Sequence, residues 1–128
     1  MHVASGAALG AIVRRRPAVI GLGLLLHLLG DLIPHQDIAS RRFEVGSGAA
    51  GVLALALRRG LLDPVTVGAL ASSAPDVEHV LRLPRPGGRK LFPTHRIPGW
   101  HRPGGVSARA QLLVAGTLFG IVISLARS

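Results

Sequence analysis

The segment HLLGDLIPHQD, residues 27 to 37, places two imidazoles and two carboxylates at the end of the most apolar run of the chain. Ionisable groups are costly in such a setting. An aspartate deep in a bilayer costs on the order of 2.5 to 3.5 kcal/mol on insertion scales, and intramembrane ionisable groups usually pair or line a functional cavity. Any fold for this chain must supply partners for these groups. His27 and Asp31 are four residues apart and share one helix face. Pro34 lacks a backbone N–H and ends or bends the helix, which lets His35 and Asp37 turn back toward that face.

The rest of the chain reads as an all-α protein. Five apolar stretches stand out, at residues 2 to 13, 17 to 33, 45 to 57, 61 to 74 and 106 to 126. Four are shorter than the ~20 residues of a free-standing transmembrane helix, so they make sense as a bundle. The residues are 48% hydrophobic with a mean hydropathy of +0.45, yet 3% aromatic. The apolar mass is therefore Leu, Ala, Val, Ile and Gly, the material of closely packed membrane helices. Small residues four apart (Gly6 and Gly10, Ser47 and Gly51, Gly116 and Gly120) support helix contact in lipid; the alternative is a soluble Ala/Gly-rich protein in which glycine merely weakens its helices.

Turns are predicted at Arg14 to Pro17 and at Arg58 to Gly60. Residues 80 to 105, rich in Pro, Gly and Arg, form a long irregular loop before the last helix. All 128 residues make one membrane-embedded domain of about five short helices. The basic cluster of MHVASGAALGAIVRRR follows the apolar run, a poor fit to a cleaved signal peptide.

Counting ~1.5 Å of rise per residue from the first turn puts His2 roughly 18 Å and Asp31 roughly 22 Å away, at the same end. An up-and-down bundle then gathers all six histidines there (His2, His27, His35, His79, His95 and His101), with every acidic residue except Asp63. A metal site is the reading that uses them together: His2, His27, Asp31, His35, Asp76, His79 and His95 are its candidate ligands. A divalent ion offsets the burial, a structural zinc being worth roughly 10 to 16 kcal/mol. The chain has no Cys, so the donors are nitrogen and oxygen, which suit zinc, manganese or iron; zinc is the expectation. Individually, His27 can instead be a core histidine bonded to a carbonyl, Asp31 can pair with an arginine, Asp37 or Ser40 can cap the following segment, Asp76 can cap a helix after Pro75, and His95 and His101 can be solvated. Structural polar contacts and a proton or ion path are the collective alternatives.

The motifs MHVASG, HLLGDLIPHQD and GALASSAPDVEH resemble small bacterial inner-membrane proteins grouped as membrane-bound, metal-dependent hydrolases. Those carry an N-terminal HxxxG, in some branches HxxxDxxPHxD, and a PDxDH element. Glu78 stands where the second Asp of PDxDH is usual, and THRIPGWHR only loosely matches the family's HRGxTHS element. The resemblance covers most of residues 1 to 102 and implies a multi-pass protein of the bacterial inner membrane that hydrolyses its substrate with metal-activated water. HLLGDLIPH is also distantly similar to the HxxxD helix of zinc-dependent phospholipases C and fungal single-strand nucleases, which favours a phosphoester or lipid-like anionic substrate.

In that chemistry Glu78 or Asp37 accepts the proton from water. Arg82, Arg85, Arg89, Lys90, Arg96 and Arg102 form a basic lid over an anionic substrate, with Arg96, His101 and Arg102 its expected contacts. Equally, the lid is a juxtamembrane segment lying on anionic lipid, at about 1 kcal/mol per basic residue. Trp100 is an interfacial anchor or a cover for the site. The 15 Lys+Arg against 6 Asp+Glu, a formal net charge of +9, fit anionic partners, and the hydropathy turns this toward membrane lipid. Nucleic acid is the weakest reading, because interleaved aromatics are missing. The competing class is a non-enzymatic membrane protein whose metal staples the bundle. The basic residues divide between both ends, so the positive-inside rule sets no orientation.

Overall fold

The computed structural model describes residues 1–81, 83–100 and 102–125, and among these it is all-helical, with no strand. The main helices are α1 (His2–Val13), α2 (Arg16–Leu32), α3 (Arg41–Arg59), α4 (Pro64–Ser73) and α7 (Ala108–Ser124); α5 (Val77–Val80) and α6 (Pro93–Arg96) are single turns.

Local chemistry sets most of the boundaries. Pro17 opens α2, and Ile33, forced extended ahead of Pro34, closes it. Ser40 caps α3 by accepting from the Phe43 N–H at 3.3 Å, and Arg58 and Arg59 sit in its last turn, where the helix dipole favours cations. Gly60 ends that helix with φ 97°, a conformation that side chains rarely adopt. Asp63 caps α4 through the Val65 N–H at 2.8 Å while also pairing with Arg59 at 3.3 Å. Ser107 caps α7 through Ala110.

The centre of the bundle is α4, which packs chiefly on α1 and then on α2. A Cβ at Gly6 would collide with the backbone of Gly68, and one at Gly10 with the backbone of Pro64. The same register brings the His2 carbonyl to the Ser72 hydroxyl at 2.6 Å, so the two helices run antiparallel with their backbones in contact. A Cβ at Gly68 would stand 3.1 Å from Val19 and one at Gly23 2.9 Å from Ala71 Cβ, so α2 runs parallel to α4. Helices α3 and α7 complete the core with Leu55 and Val122 against Ala7, Val65 and Ala69. By contrast, Gly116 and Gly120 face open space, so among the described residues this third small-residue pair packs no helix.

The loop expected at 80 to 105 contains α6 and a 3₁₀ turn at Pro86–Gly88, with a second 3₁₀ turn, Ala74–Asp76, joining α4 to α5. It is strapped across the end of the bundle. Trp100 Nε1 donates to the Leu28 carbonyl at 3.1 Å, Val106 N–H donates to Pro34 O at 2.9 Å, and Gln111 Nε2 donates to Gln36 O at 2.8 Å.

Among the described residues no helix is long and apolar enough to cross a membrane. The apolar helices α2 and α7 have 17 residues each, or about 26 Å of rise against a hydrocarbon core of about 30 Å. Helix α3 is longer but carries Arg41, Arg42, Glu44, Arg58 and Arg59. The distribution of side chains is nonetheless unusual. The buried apolar residues are Ala, Val and a single Leu, whereas Ile12, Leu53, Leu57 and Leu113 are exposed, Ile12 to 80%.

Candidate metal centre

Four segments deliver the site. The first turn of α1 supplies His2; α2 supplies His27 and Asp31, one turn apart; the 3₁₀ turn and α5 supply Asp76, Glu78 and His79; α6 supplies His95. Each arrives for a local reason. The Gly6–Gly68 and Gly10–Pro64 contacts fix how far α1 slides along α4, and Gly30 leaves the space beside α2 that the His2 ring fills. Pro75 bends the chain into the 3₁₀ turn.

Two rings have their tautomer set by an acceptor. His27 is fully buried, and its Nδ1 lies 2.9 Å from the carbonyl oxygen of Ser72, which can only accept. Nδ1 is therefore the donor to that carbonyl, and Nε2 is the ring atom turned inward. That atom lies 3.2 Å from Asp31 Oδ2 and 3.8 Å from Asp76 Oδ1. It is buried and makes no hydrogen bond of acceptable geometry. His95 repeats the pattern: its Nδ1 donates to Glu78 Oε1 at 2.6 Å, and its Nε2 faces Asp76 Oδ1 at 3.7 Å and Asp31 Oδ2 at 4.0 Å.

The Nε2 atoms of two imidazoles thus converge on two carboxylates in a ring of edges 3.2, 3.8, 3.7 and 4.0 Å. Donors around a tetrahedral zinc with bonds of 2.0 to 2.1 Å are about 3.3 Å apart, so the set needs little movement to take such an ion. Among the described residues, three sets of donors lie within 4.8 Å of one another: His2, His27 and Asp76; His27, Asp31 and His95; Asp76, His79 and His95. His2 Nε2 also faces Asp31 Oδ1 at 3.3 Å.

Glu78, expected to take a proton from water, is placed otherwise. Its side chain is fully buried, Oε2 accepts from the Leu91 N–H at 2.6 Å, and Oε1 accepts from His95 and, at 3.4 Å, from the Phe92 N–H. Burial alone would raise its pKa, but the Leu91 N–H, the His95 ring and the Phe92 N–H outweigh this and hold the carboxyl below its ordinary value. The sequence carried no signal for this arrangement, because Leu91 and Phe92 come from a loop 13 residues on. His79 is held below the ordinary imidazole value chiefly by burial, with Lys90 adding to it against the pull of Asp76 and Glu78, which favours the unprotonated ring.

The other expected site residues lie elsewhere. His35 is half-buried; its Nδ1 lies 2.7 Å from Ile33 O and its backbone pairs with the 102–106 segment, outside the converging sets. Asp37 is exposed beyond α2 and also outside those sets. Arg96 is exposed at the end of α6, and Arg102 is exposed with its Nε donating to Gly99 O. His101 and Arg82 lie outside the described residues. A cavity of about 540 Å³ opens beside the cluster, lined by Glu78, His79, Val80, Leu81, Leu83 and Arg85, and Arg85 donates to the Glu78 carbonyl at 3.3 Å. Ser72 is the residue that sequence reasoning missed. It holds His27 by its carbonyl and the start of α1 by its hydroxyl, and its position one turn before Asp76 was the available clue.

Comparison with known proteins places the chain in no group: no family model, no curated protein and no solved structure matches it.

Proposed function

We propose that this chain is a membrane-associated, metal-dependent hydrolase of the kind its HxxxG, HxxxDxxPHxD and PDxDH-like motifs resemble. The observation that carries the reading is the aim of the His27 and His95 Nε2 atoms at Asp31 and Asp76, with each Nδ1 held by a separate acceptor. Imidazoles so fixed are ready to coordinate a cation, and an outer partner such as Glu78 typically orients a metal-bound histidine in this way. The residues that would hold metal, expected to be zinc, are drawn from His2, His27, Asp31, Asp76, His79 and His95. When bound, it supplies Lewis acidity, making water nucleophilic near neutral pH and polarising the scissile bond.

The chain's own residues do the rest. Ser72 and Glu78 lock two rings in the ligating tautomer. Arg85 at the cavity, with Arg89, Lys90, Arg96 and Arg102 on the same loop, would attract an anionic phosphoester or lipid-like substrate. Location in the bacterial inner membrane is supported by the inverted distribution of side chains, small inside and leucine outside, because lipid carries no penalty for exposed Leu and small residues allow close backbones. Spanning then requires local bilayer thinning around the 17-residue helices.

One observation favours a second reading, a metal that only staples the bundle: the cluster joins α1, α2, α5 and α6. Detergent-purified protein, stripped with chelator and reloaded with zinc, separates the two when assayed on a chromogenic phosphodiester. Hydrolysis restored by zinc and abolished in a folded His27→Ala protein supports the enzyme. Retained metal with no hydrolysis, and unfolding of His27→Ala, favours the staple.

A further inference from the structure

We propose that the cluster holds two divalent cations, one on His2, His27 and Asp76 and one on Asp76, His79 and His95, with the Asp76 carboxylate shared between them. The inference rests on the metal-binding reading above and adds number and arrangement to it.

The donors form a strip and not a sphere. A close imidazole pair stands at each end, His2 with His27 at 4.1 Å between ring centroids and His79 with His95 at 4.0 Å, while His27 and His95 are 5.8 Å apart. One ion requires every donor within ~2.1 Å of a single point, hence no two donors more than about 4.2 Å apart. Among the described residues, no set of donors lying within 4.8 Å of one another contains both His2 and His79. A single ion therefore leaves one end of the strip unused.

The two end sets share Asp76 alone, and a carboxylate, with two oxygens, can bridge two cations. Asp31 lies alongside, with Oδ1 toward His2 at 3.3 Å and Oδ2 toward His27 at 3.2 Å and His95 at 4.0 Å. The buried His27 Nε2, which makes no hydrogen bond, lies 3.8 Å from Asp76 Oδ1 in the first set, and the Glu78-anchored His95 Nε2 lies 3.7 Å from the same oxygen in the second.

Charge and access distinguish the two positions. With neutral imidazoles, Asp31, Asp76 and the Glu78 carboxylate behind His95 carry three negative charges; two divalent ions leave an excess of one positive charge, which a phosphate-bearing substrate neutralises. The second position is the one beside the cavity, because His79 lines it together with Arg85, whereas His2 and His27 do not. The outer ion is thus the weaker and exchangeable one, and the inner ion the resident.

Zinc per chain, measured by elemental analysis after chelation and equilibration at saturating free zinc in detergent, tests this. Wild type is expected to take up two ions, and His2→Ala and His79→Ala one each, with helicity checked by circular dichroism. Graded chelation should remove the first of the two ions from wild type far more readily than the single ion of His79→Ala. A wild type that saturates at one zinc overturns the second ion while leaving metal-dependent hydrolysis standing. A wild type that takes up none removes both readings, and His79→Ala with two ions overturns the assignment of donors.

Discussion

Glu78 shows how little a side chain's chemical type says about its role. A carboxylate two residues from Asp76 reads as a proton acceptor, yet its oxygens are occupied by the Leu91 and Phe92 N–H groups and by His95. Its substitution should therefore act on metal affinity first. Glu78→Gln is expected to lower zinc affinity 10- to 100-fold, the usual effect of removing an outer partner of a ligating histidine; a competition titration against a chromophoric chelator measures it, and unchanged affinity would remove the positioning role. The acid dependence follows from the lowered pKa of Glu78. A folded-state value below the ordinary 4.5 means that the folded protein binds fewer protons than the unfolded chain. Its stabilisation is then complete above about 4.5 and is lost as pH falls through the depressed value. Metal-free wild type should lose its stability advantage over Glu78→Gln on acidification through that window, as read by denaturant melts at stepped pH.

At the level of helices, the contact between α1 and α4 decides whether the site forms. Gly6 and Gly10 allow the backbones to touch, and the resulting register places His2 beside Asp31. A side chain there must push the helices apart. Gly6→Val is expected to cost several kcal/mol, in the range of severe overpacking, and to abolish metal uptake. Gly116→Ala, at a position facing open space, should leave both unchanged or gain slightly from helix propensity. Thermal melts and zinc content of the two variants side by side check the contrast; equal damage at both positions would show that α7 packs against something that the monomer does not contain.

For the whole molecule, a bound cation is a folding constraint, because its ligands come from α1, α2, the turn before α5, α5 and α6. Free zinc at 100 times its dissociation constant stabilises the folded state by about 2.7 kcal/mol per site, so the melting temperature should climb with zinc concentration. In Asp31→Asn the climb should shrink markedly, and a melting temperature indifferent to zinc would count against any metal centre. The apolar exterior sets the medium of the experiment: with Ile12, Leu57 and Leu113 largely exposed, the protein is expected to partition with membranes on fractionation and to need detergent for solubility. Recovery in the aqueous fraction without detergent would overturn the membrane proposal.

Helix identity, the turns at Arg14 and Gly60 and the meeting of His2 with Asp31 were legible in the chain, since periodicity, caps and rise per residue are local properties. The sharing of one face by His27 and Asp31 followed from their spacing of four. Tertiary packing alone decided that α4 lies at the centre, that Glu78 turns to His95, that His35 pairs its backbone with the 102–106 segment, and that Gly116 and Gly120 meet no helix. These depend on where residues tens of positions apart come to rest, and a loop held by Trp100 and Gln111 obeys no helical period. Spacing along the chain fixes direction around one axis; the distance between two axes is set by the side chains, or the glycines, that lie between them.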